Sequence, residues 1–266
     1  MSDATAIAEG LLYSVGEDGV AEVRIDRPEK RNAMSVAVFN GLTEAWRLIN
    51  ADDAVRVAIL TSADCGPFCA GMDLKEATEL RKRDGRDITS YIDDPFQREM
   101  LKVRVPLIAA MTGNFTAGGM MLSLNCDLRI GLAGTSGGIA EVKVGRGSPW
   151  GVPLLWMLPQ AIVMEMKLIG APLSVERLRD LGFINSVEDT PDAVRTKARE
   201  IAKAIAGNAP LSVRAAKASV LAAAAEGSEA GFAAAMEIYK EVYASEDAIE
   251  GMAAFAEKRR PVWKGK

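Results

Sequence analysis

The 266-residue chain contains no histidine. Ser-His-Asp triads, Cys-His pairs and histidine-bearing metal sites are therefore excluded. Acid–base chemistry near neutral pH falls to carboxylates, Lys, Tyr or Cys. Two glycine-bearing stretches could supply the other half of such chemistry. "FCAGMD" (68–73) and "TAGGMM" (116–121) each follow an apolar run and each lead into a helical pattern. Backbone N–H groups at a helix start have no partner inside the helix, and the helix dipole adds partial positive charge there. Two such turns on adjacent parallel strands would aim two donors at one point, a geometry that stabilises an oxyanion. Glycine permits close approach because it has no Cβ. The same glycines would equally serve tight helix-on-sheet packing, and spacing alone leaves both readings open.

The elements that must position these turns are legible as patterns. "LLYSV" and "VAEVRID" flank "GEDG" and read as a β-hairpin. Ser35 caps a helix running to about Asn50, with Val38, Phe39, Leu42, Ala45, Trp46 and Ile49 on one face. "VRVAILT" (55–61) and "PLIAAMTG" (106–113) are continuous apolar runs, as expected of buried strands. "CDLRIGLA" is a third strand, and "GIAEVKVG" is expected to be a fourth, short one. A helix is expected from Asp73, followed by a polar, mobile stretch, "RKRDGRDITSYIDDP". From Trp150 the pattern turns helical, and beyond Pro191 it is alanine-rich, with helical signals in "VRTKAREIAKAI", "LSVRAAKASVLAAAA" and "FAAAMEIYKEVY". Alternating strands and helices imply an α/β core. The expected organisation is a core over residues 1–191 holding the active site, and a helical C-terminal region over 192–266.

Composition narrows the classes. Apolar residues make up 49% of the chain, enough for a sizeable core, and the net charge of −4 disfavours a nucleic-acid surface. Three cysteines, Cys65, Cys69 and Cys126, fit reduced thiols and a cytoplasmic setting. "CGPFC" spaces two of them, but too few ligands remain for a zinc site. The start, "MSDATAIAEG", carries Asp3 and Glu9 and no basic region ahead of an apolar run, so no secretory signal is expected. No stretch reaches the roughly 18 apolar residues of a membrane span. "GRGSPWG" is not a dinucleotide fingerprint, because its third glycine is one place too far and Pro149 interrupts it.

Five segments, "RIDRPEKRNAMS", "FCAGMDLKE", "AGGMML…CDLRIG", "AEVKVG" and "FAEKRRPVW", resemble in order and spacing the enoyl-CoA hydratase/isomerase (crotonase) family, over nearly the whole chain. The resemblance implies a crotonase-type spiral of ββα units with a helical C-terminal region that builds homotrimers, commonly paired into homohexamers. It implies an acyl-CoA thioester as substrate, with coenzyme A as part of that substrate and no metal or redox cofactor. It places the thioester oxygen between the backbone N–H groups of Met72 and Gly118, with Ala70 and Met121 beside the substrate. Lys30 and Arg31 match a segment bordering the coenzyme A phosphates and ribose. Phe255 and Lys258 match residues that reach the adenine end, often from a neighbouring subunit. Solvated charge or helix-end packing are the plain alternatives for these four.

The chain departs from the family's hydratases at one carboxylate. They carry one glutamate three positions beyond the oxyanion glycine, here Met121, and another in the segment matching "AEVKVG", here Glu141. Two carboxylates can hold and activate a water between them. One carboxylate can still carry a proton from one carbon to another, which suffices to move a double bond between the 3,4 and 2,3 positions. The family's Δ3,Δ2-isomerases likewise keep the later glutamate beside an apolar residue at the earlier position. Met121 should also desolvate Glu141 and raise its pKa. Asp93, Asp94 and Glu99 lie in the segment that borders the acyl pocket in relatives and could replace the missing acid. Trp150 could shape the same pocket or be core. A non-catalytic acyl-CoA binder, or another reaction of the family using a different acid, are the alternatives to isomerisation and hydration. RNA binding is disfavoured by the acidic balance.

Overall fold

The structure, a computed structural model, describes residues 4–266; Asp3 of the N-terminal reading lies outside them. Three strands open the chain: β1 (Thr5–Ala8), β2 (Leu11–Val15) and β3 (Val20–Ile25), paired antiparallel. The expected hairpin is β2–β3, closed at Gly19, whose φ of +73° suits glycine. Helix α1 (Val36–Ala51) follows, capped by Ser35, whose side chain accepts from the Val38 N–H. All six apolar residues expected on its inner face are buried.

Three strand–strand–helix turns come next. β4 (Val57–Ser62) and β5 (Pro67–Cys69) lead to α2 (Leu74–Asp84). β6 (Leu107–Met111) and β7 (Asn114–Thr116) lead to α3 (Gly118–Leu124). β8 (Leu128–Leu132) and β9 (Ser136–Gly138) lead to a 3₁₀ turn over Glu141–Val144. The first strand of each turn joins one sheet and the second strand joins another. A seven-stranded sheet runs β1-β2-β3-β4-β6-β8-β11, where β11 is Ser186–Glu188, and is parallel from β3 onward. A four-stranded sheet runs β10-β9-β7-β5, where β10 is Leu173–Ser174. This repeated winding is the ββα spiral expected from the resemblance.

The main sheet is covered on both faces, which explains why β4 and β6 are apolar without alternation. On one side lie α1, α3 and the second sheet, around Trp46, Phe68, Phe115 and Met120. On the other, Val194, Ala198 and Ala202 of α6 (Pro191–Ala206) pack on Val57, Ile59, Ile108 and Ile130. Helices α4 (Gln160–Ile169) and α5 (Val175–Asp180) precede α6. The helical tail adds α7 (Pro210–Glu226), α8 (Ser228–Ala244) and α9 (Glu246–Ala256).

Several expectations differ in detail. "GIAEVKVG" is not one strand: β9 ends at Gly138 and the chain turns into the 3₁₀ segment that begins with Glu141. Strands β10 and β11 interrupt the helical reading after Trp150. The stretch expected to be mobile continues α2 to Asp84 and then forms a 3₁₀ turn, Ile88–Tyr91, capped by Asp87 and anchored by buried Ile88. Among the described residues no helix is long and apolar enough to cross a membrane.

Candidate active site

Both glycine-bearing turns end on the same cavity. The loop from β5 to α2 is pinned around Met72. Met34 N–H donates to Gly71 O at 2.8 Å, and Asp73 N–H donates to Met34 O at 2.9 Å. This parallel bridge holds Met72 from both sides while its own N–H makes no hydrogen bond within the described chain. The helices behind it interlock: Asp73 caps α2, and Glu76 Oε2 accepts from Val36 N–H, the first of α1, at 3.0 Å. Arg27 Nη1 ties Asp73 Oδ2 (3.3 Å) to Ala33 O (2.7 Å).

The second turn is held as firmly. Ala117 N–H donates to Gly138 O, and Ala117 O accepts from Met121 N–H, both at 2.9 Å. Between these anchors Ala117 is left at φ +51°, ψ −115°, strained for a residue with a Cβ. The Gly118 N–H follows at the start of α3 and has no partner among the described residues. The two turns abut. A Cβ on Gly71 would lie 3.0 Å from Ala117 Cβ and 3.3 Å from Gly118 N, and one on Gly118 would lie 3.2 Å from Gly71 Cα. Gly119 has a different cause: a Cβ there would lie 2.5 Å from Cys69 O on β5. Gly118 thus permits the approach of the two amides, whereas Gly119 permits helix-on-strand packing.

The cavity beyond these amides has a volume of about 600 Å³. Ala70, Met72, Ala117, Gly118, Met121 and Glu141 all line it, together with Phe39, Phe96 and Trp150. Met121 is 2% exposed and is also part of the core. Glu141 is half-buried, and burial pushes its carboxyl above the usual range. The Glu141 and Ala140 amides, the Trp150 indole and the Lys167 charge oppose that rise without cancelling it. The Ala140 N–H donates to Glu141 Oε2 at 3.0 Å and fixes the side chain against its own backbone.

Two charged residues that sequence reasoning did not single out also line the cavity. Arg146 and Asp87 form a two-pronged ion pair, with both N–O distances 3.1 Å. The guanidinium and the Thr89 donors hold the Asp87 carboxyl far below the usual range, so Asp87 stays ionised and cannot deliver a proton. The pair joins residues 59 positions apart, and no local pattern announces it.

Other expected residues fall elsewhere. Asp93, Asp94 and Glu99 do not line the cavity, although their neighbours Pro95 and Phe96 do. Asp94 Oδ2 accepts from Glu99 N–H, and Glu99 pairs with Lys102, so both serve their own segment. Lys30 and Arg31 are exposed and outside the cavity wall; Arg31 O accepts from Ala70 N–H at 3.3 Å, which sets them beside it. Phe255, 88% exposed, and Lys258 lie at the end of α9 and line no part of this cavity.

The arrangement is two abutting turns with unpartnered main-chain donors on one cavity wall, together with one desolvated carboxylate. It suits the formation and protonation of an enolate. Comparison with known proteins identifies the family. A family model described as "Enoyl-CoA hydratase/isomerase" matches residues 16–266. The chain is 34% identical to (E)-benzylidenesuccinyl-CoA hydratase of Thauera aromatica, over 92% of this chain and 96% of that one. It is also 34% identical to carnitinyl-CoA dehydratase of Proteus mirabilis, over 96% and 98%. The crystal structure of enoyl-CoA hydratase from Bacillus anthracis superposes with a TM-score of 0.90 at 29% identity, covering 97% of this chain and all of the other. The chain belongs to the enoyl-CoA hydratase/isomerase, or crotonase, family.

Proposed function

We propose that this protein acts on an acyl-CoA thioester through an enolate, with the Met72 and Gly118 amides holding the thioester oxygen and Glu141 moving the proton. As a base removes the C2 proton, negative charge grows on that oxygen. Two fixed donors lower the barrier without reorganising, each worth about 2.7–4 kcal/mol in comparable sites. Glu141, whose burial raises its pKa, is a better base than a solvated carboxylate and can take up a proton and return it. With a 3-enoyl-CoA, the proton leaves C2 and comes back at C4, and the double bond moves to the 2,3 position. The proposal requires no metal or redox cofactor, since coenzyme A is part of the substrate.

Isomerisation is favoured over hydration by one observation: among the described residues Glu141 is the one carboxylate of the cavity wall that is not locked in an ion pair. Hydration needs a water held and activated at C3 while a proton reaches C2, and the second position is the thioether of Met121. The names of the hydratase and dehydratase relatives support the second reading, hydration of a 2-enoyl-CoA. Incubation with 3-enoyl-CoA and 2-enoyl-CoA in heavy water separates these. Isomerisation yields 2-enoyl-CoA, with deuterium at C4 to the extent that the proton on Glu141 exchanges with solvent before it is returned. Hydration yields a 3-hydroxyacyl product with deuterium at C2. No turnover of either, with binding retained, would leave an acyl-CoA binder or a family member with different chemistry.

We further propose that the helical region 192–266 assembles the chain into trimers or paired trimers. Its exposed apolar side chains support this: Phe232, Tyr243, Met252 and Phe255 are each more than two-thirds exposed. In such an assembly Phe255 and Lys258 would serve a neighbour's coenzyme A rather than their own. Lys30 and Arg31 would meet the phosphates outside the cavity.

A further inference from the structure

Three charged side chains line the cavity, and the reaction above uses one of them, Glu141. The other two, Asp87 and Arg146, are arranged with an unused donor edge beside an unused acceptor. Asp87 Oδ1 is saturated: it accepts from Thr89 N–H at 3.0 Å, from the Thr89 hydroxyl at 2.8 Å and from Arg146 Nη2 at 3.1 Å. Asp87 Oδ2 has Arg146 Nη1 as its one partner among the described residues and keeps a lone pair free. The guanidinium, for its part, commits only one N–H on each terminal nitrogen to the pair. Both side chains are about a third exposed, 35% for Arg146 and 38% for Asp87, so in the free protein water meets these remaining groups.

An occupant of the cavity displaces that water. A plain alkyl chain would cover the spare donors and the lone pair and leave them unmatched, which is unfavourable. A carboxylate would satisfy the Arg146 donors but would face the negative charge of Asp87. A hydroxyl satisfies both: its oxygen accepts from Arg146 and its hydrogen goes to Asp87 Oδ2. The neutral pair therefore matches a neutral group that both donates and accepts. We propose that the Asp87–Arg146 pair is a specificity element, selecting acyl-CoA substrates that carry a hydroxyl on the acyl chain away from the reacting carbons. This rests on the acyl-CoA reading of the site.

The test is titration calorimetry of wild type, Arg146→Gln and Asp87→Asn with hexanoyl-CoA, ω-hydroxyhexanoyl-CoA and adipoyl-CoA, and with the matching eight-carbon set. Binding of these saturated thioesters does not depend on turnover. In wild type the ω-hydroxy thioester should bind about tenfold more tightly than the alkyl one at one of the two lengths, a modest ratio because the pair is partly hydrated. That ratio should fall to within about twofold in each variant. A wild type without the preference overturns the proposal. So does a preference that persists in both variants, or variants that weaken all three ligands equally, which would reduce the pair to a tie between its two loops. Tighter binding of adipoyl-CoA than of the hydroxy thioester would overturn it in favour of a carboxylate reader. Failure of wild type to bind any thioester would remove the acyl-CoA reading as well, whereas alkyl binding without hydroxyl preference removes this inference alone.

Discussion

Substitution of Gly71 by alanine tests whether the abutting turns form a working oxyanion site. Gly71 sits at φ +93°, where a Cβ costs about 1–2 kcal/mol in backbone strain. That cost falls on stability. The new Cβ would also lie 3.0 Å from Ala117 Cβ, 3.3 Å from Gly118 N and 3.5 Å from Thr116 O. These are backbone or near-backbone atoms, so the two turns must separate by a few tenths of an ångström. A misplacement of about 1 Å at a reacting centre costs about 100-fold, so a shift of this size predicts a loss of about tenfold. Complete loss of one donor, about 100- to 1,000-fold, is the ceiling. The assay is total deuterium uptake, at C2 of returned substrate and at C4 of isomerised product, from a 3-enoyl-CoA in heavy water, which reads enolate formation by either outcome. Gly85→Ala is the control. Gly85 also has positive φ, +69°, but nothing lies within 4 Å of its would-be Cβ. Both variants should lose stability by a similar amount, and only Gly71→Ala should lose exchange. Equal exchange in the two would refute the claim that these amides act together.

Glu141→Gln should lower the same exchange by at least about 100-fold while leaving thioester binding measurable. Burial raises the Glu141 pKa in the folded state above its unfolded value, so the native state holds this proton more tightly. The associated stability is present below the ordinary glutamate pKa and is lost as pH rises through the folded value. Glu141→Gln should therefore melt higher than wild type at about pH 8 and show no such gain at about pH 4; the reverse order would contradict a desolvated carboxyl. Met121→Glu adds a third carboxylate to a cavity wall that already holds Asp87 and Glu141, and the like charge raises the Glu141 pKa further. The acid limb of the pH–rate profile should move up and a 3-hydroxyacyl product should appear; a profile indifferent to the change counts against the coupling. Asn32→Ala removes a fully buried side chain that donates to Ala63 O and Pro67 O and accepts from Arg27 N–H. The stranded groups predict a loss of about 2–4 kcal/mol in denaturant unfolding, and a loss within about 0.5 kcal/mol would show that water replaces the amide.

The elements readable from the sequence were those whose periodicity is decided by burial. Helix α1 buries one face, and β4 and β6 bury both. The two glycine turns were legible for the same reason, since each follows such a strand. The segment around Glu141 was not. "GIAEVKVG" alternates like a strand, but Glu141 Oε2 takes up the Ala140 N–H, and the chain turns left-handed at Gly145. Those bonds are invisible to an alternation pattern. Strands β10 and β11, of two and three residues, carry too little sequence to show a period and owe their form to β9 and β8. Asp87 and Arg146 are not singled out by the sequence because nothing local joins them. The family resemblance supplied Glu141, Met72 and Gly118, but it had no bearing on this pair.

The opening of α3 shows how little of the site can vary. A Cβ on Gly118 would overlap the Met34 methyl and lie 3.2 Å from Gly71 Cα in the β5–α2 loop, and Gly119 must lack one to clear Cys69 O. Met120 is wholly buried in the core. Met121 is the first residue of the helix whose side chain reaches the cavity. Both amides aimed at the proposed thioester oxygen belong to the main chain, held by Met34 on one side and Gly138 on the other. Side-chain exchange therefore leaves the anion site standing and changes only what surrounds it. On this scaffold the proposed enolate would be held by the backbone. What becomes of it is set by few side chains: the carboxylate at 141, the residue at 121 and the charged pair across the cavity. A thioether at 121 removes the partner a water would need, and an ion pair that cannot give up a proton does not replace it. The single carboxylate that remains can move a proton between carbons, and this is the physical ground for placing isomerisation ahead of hydration.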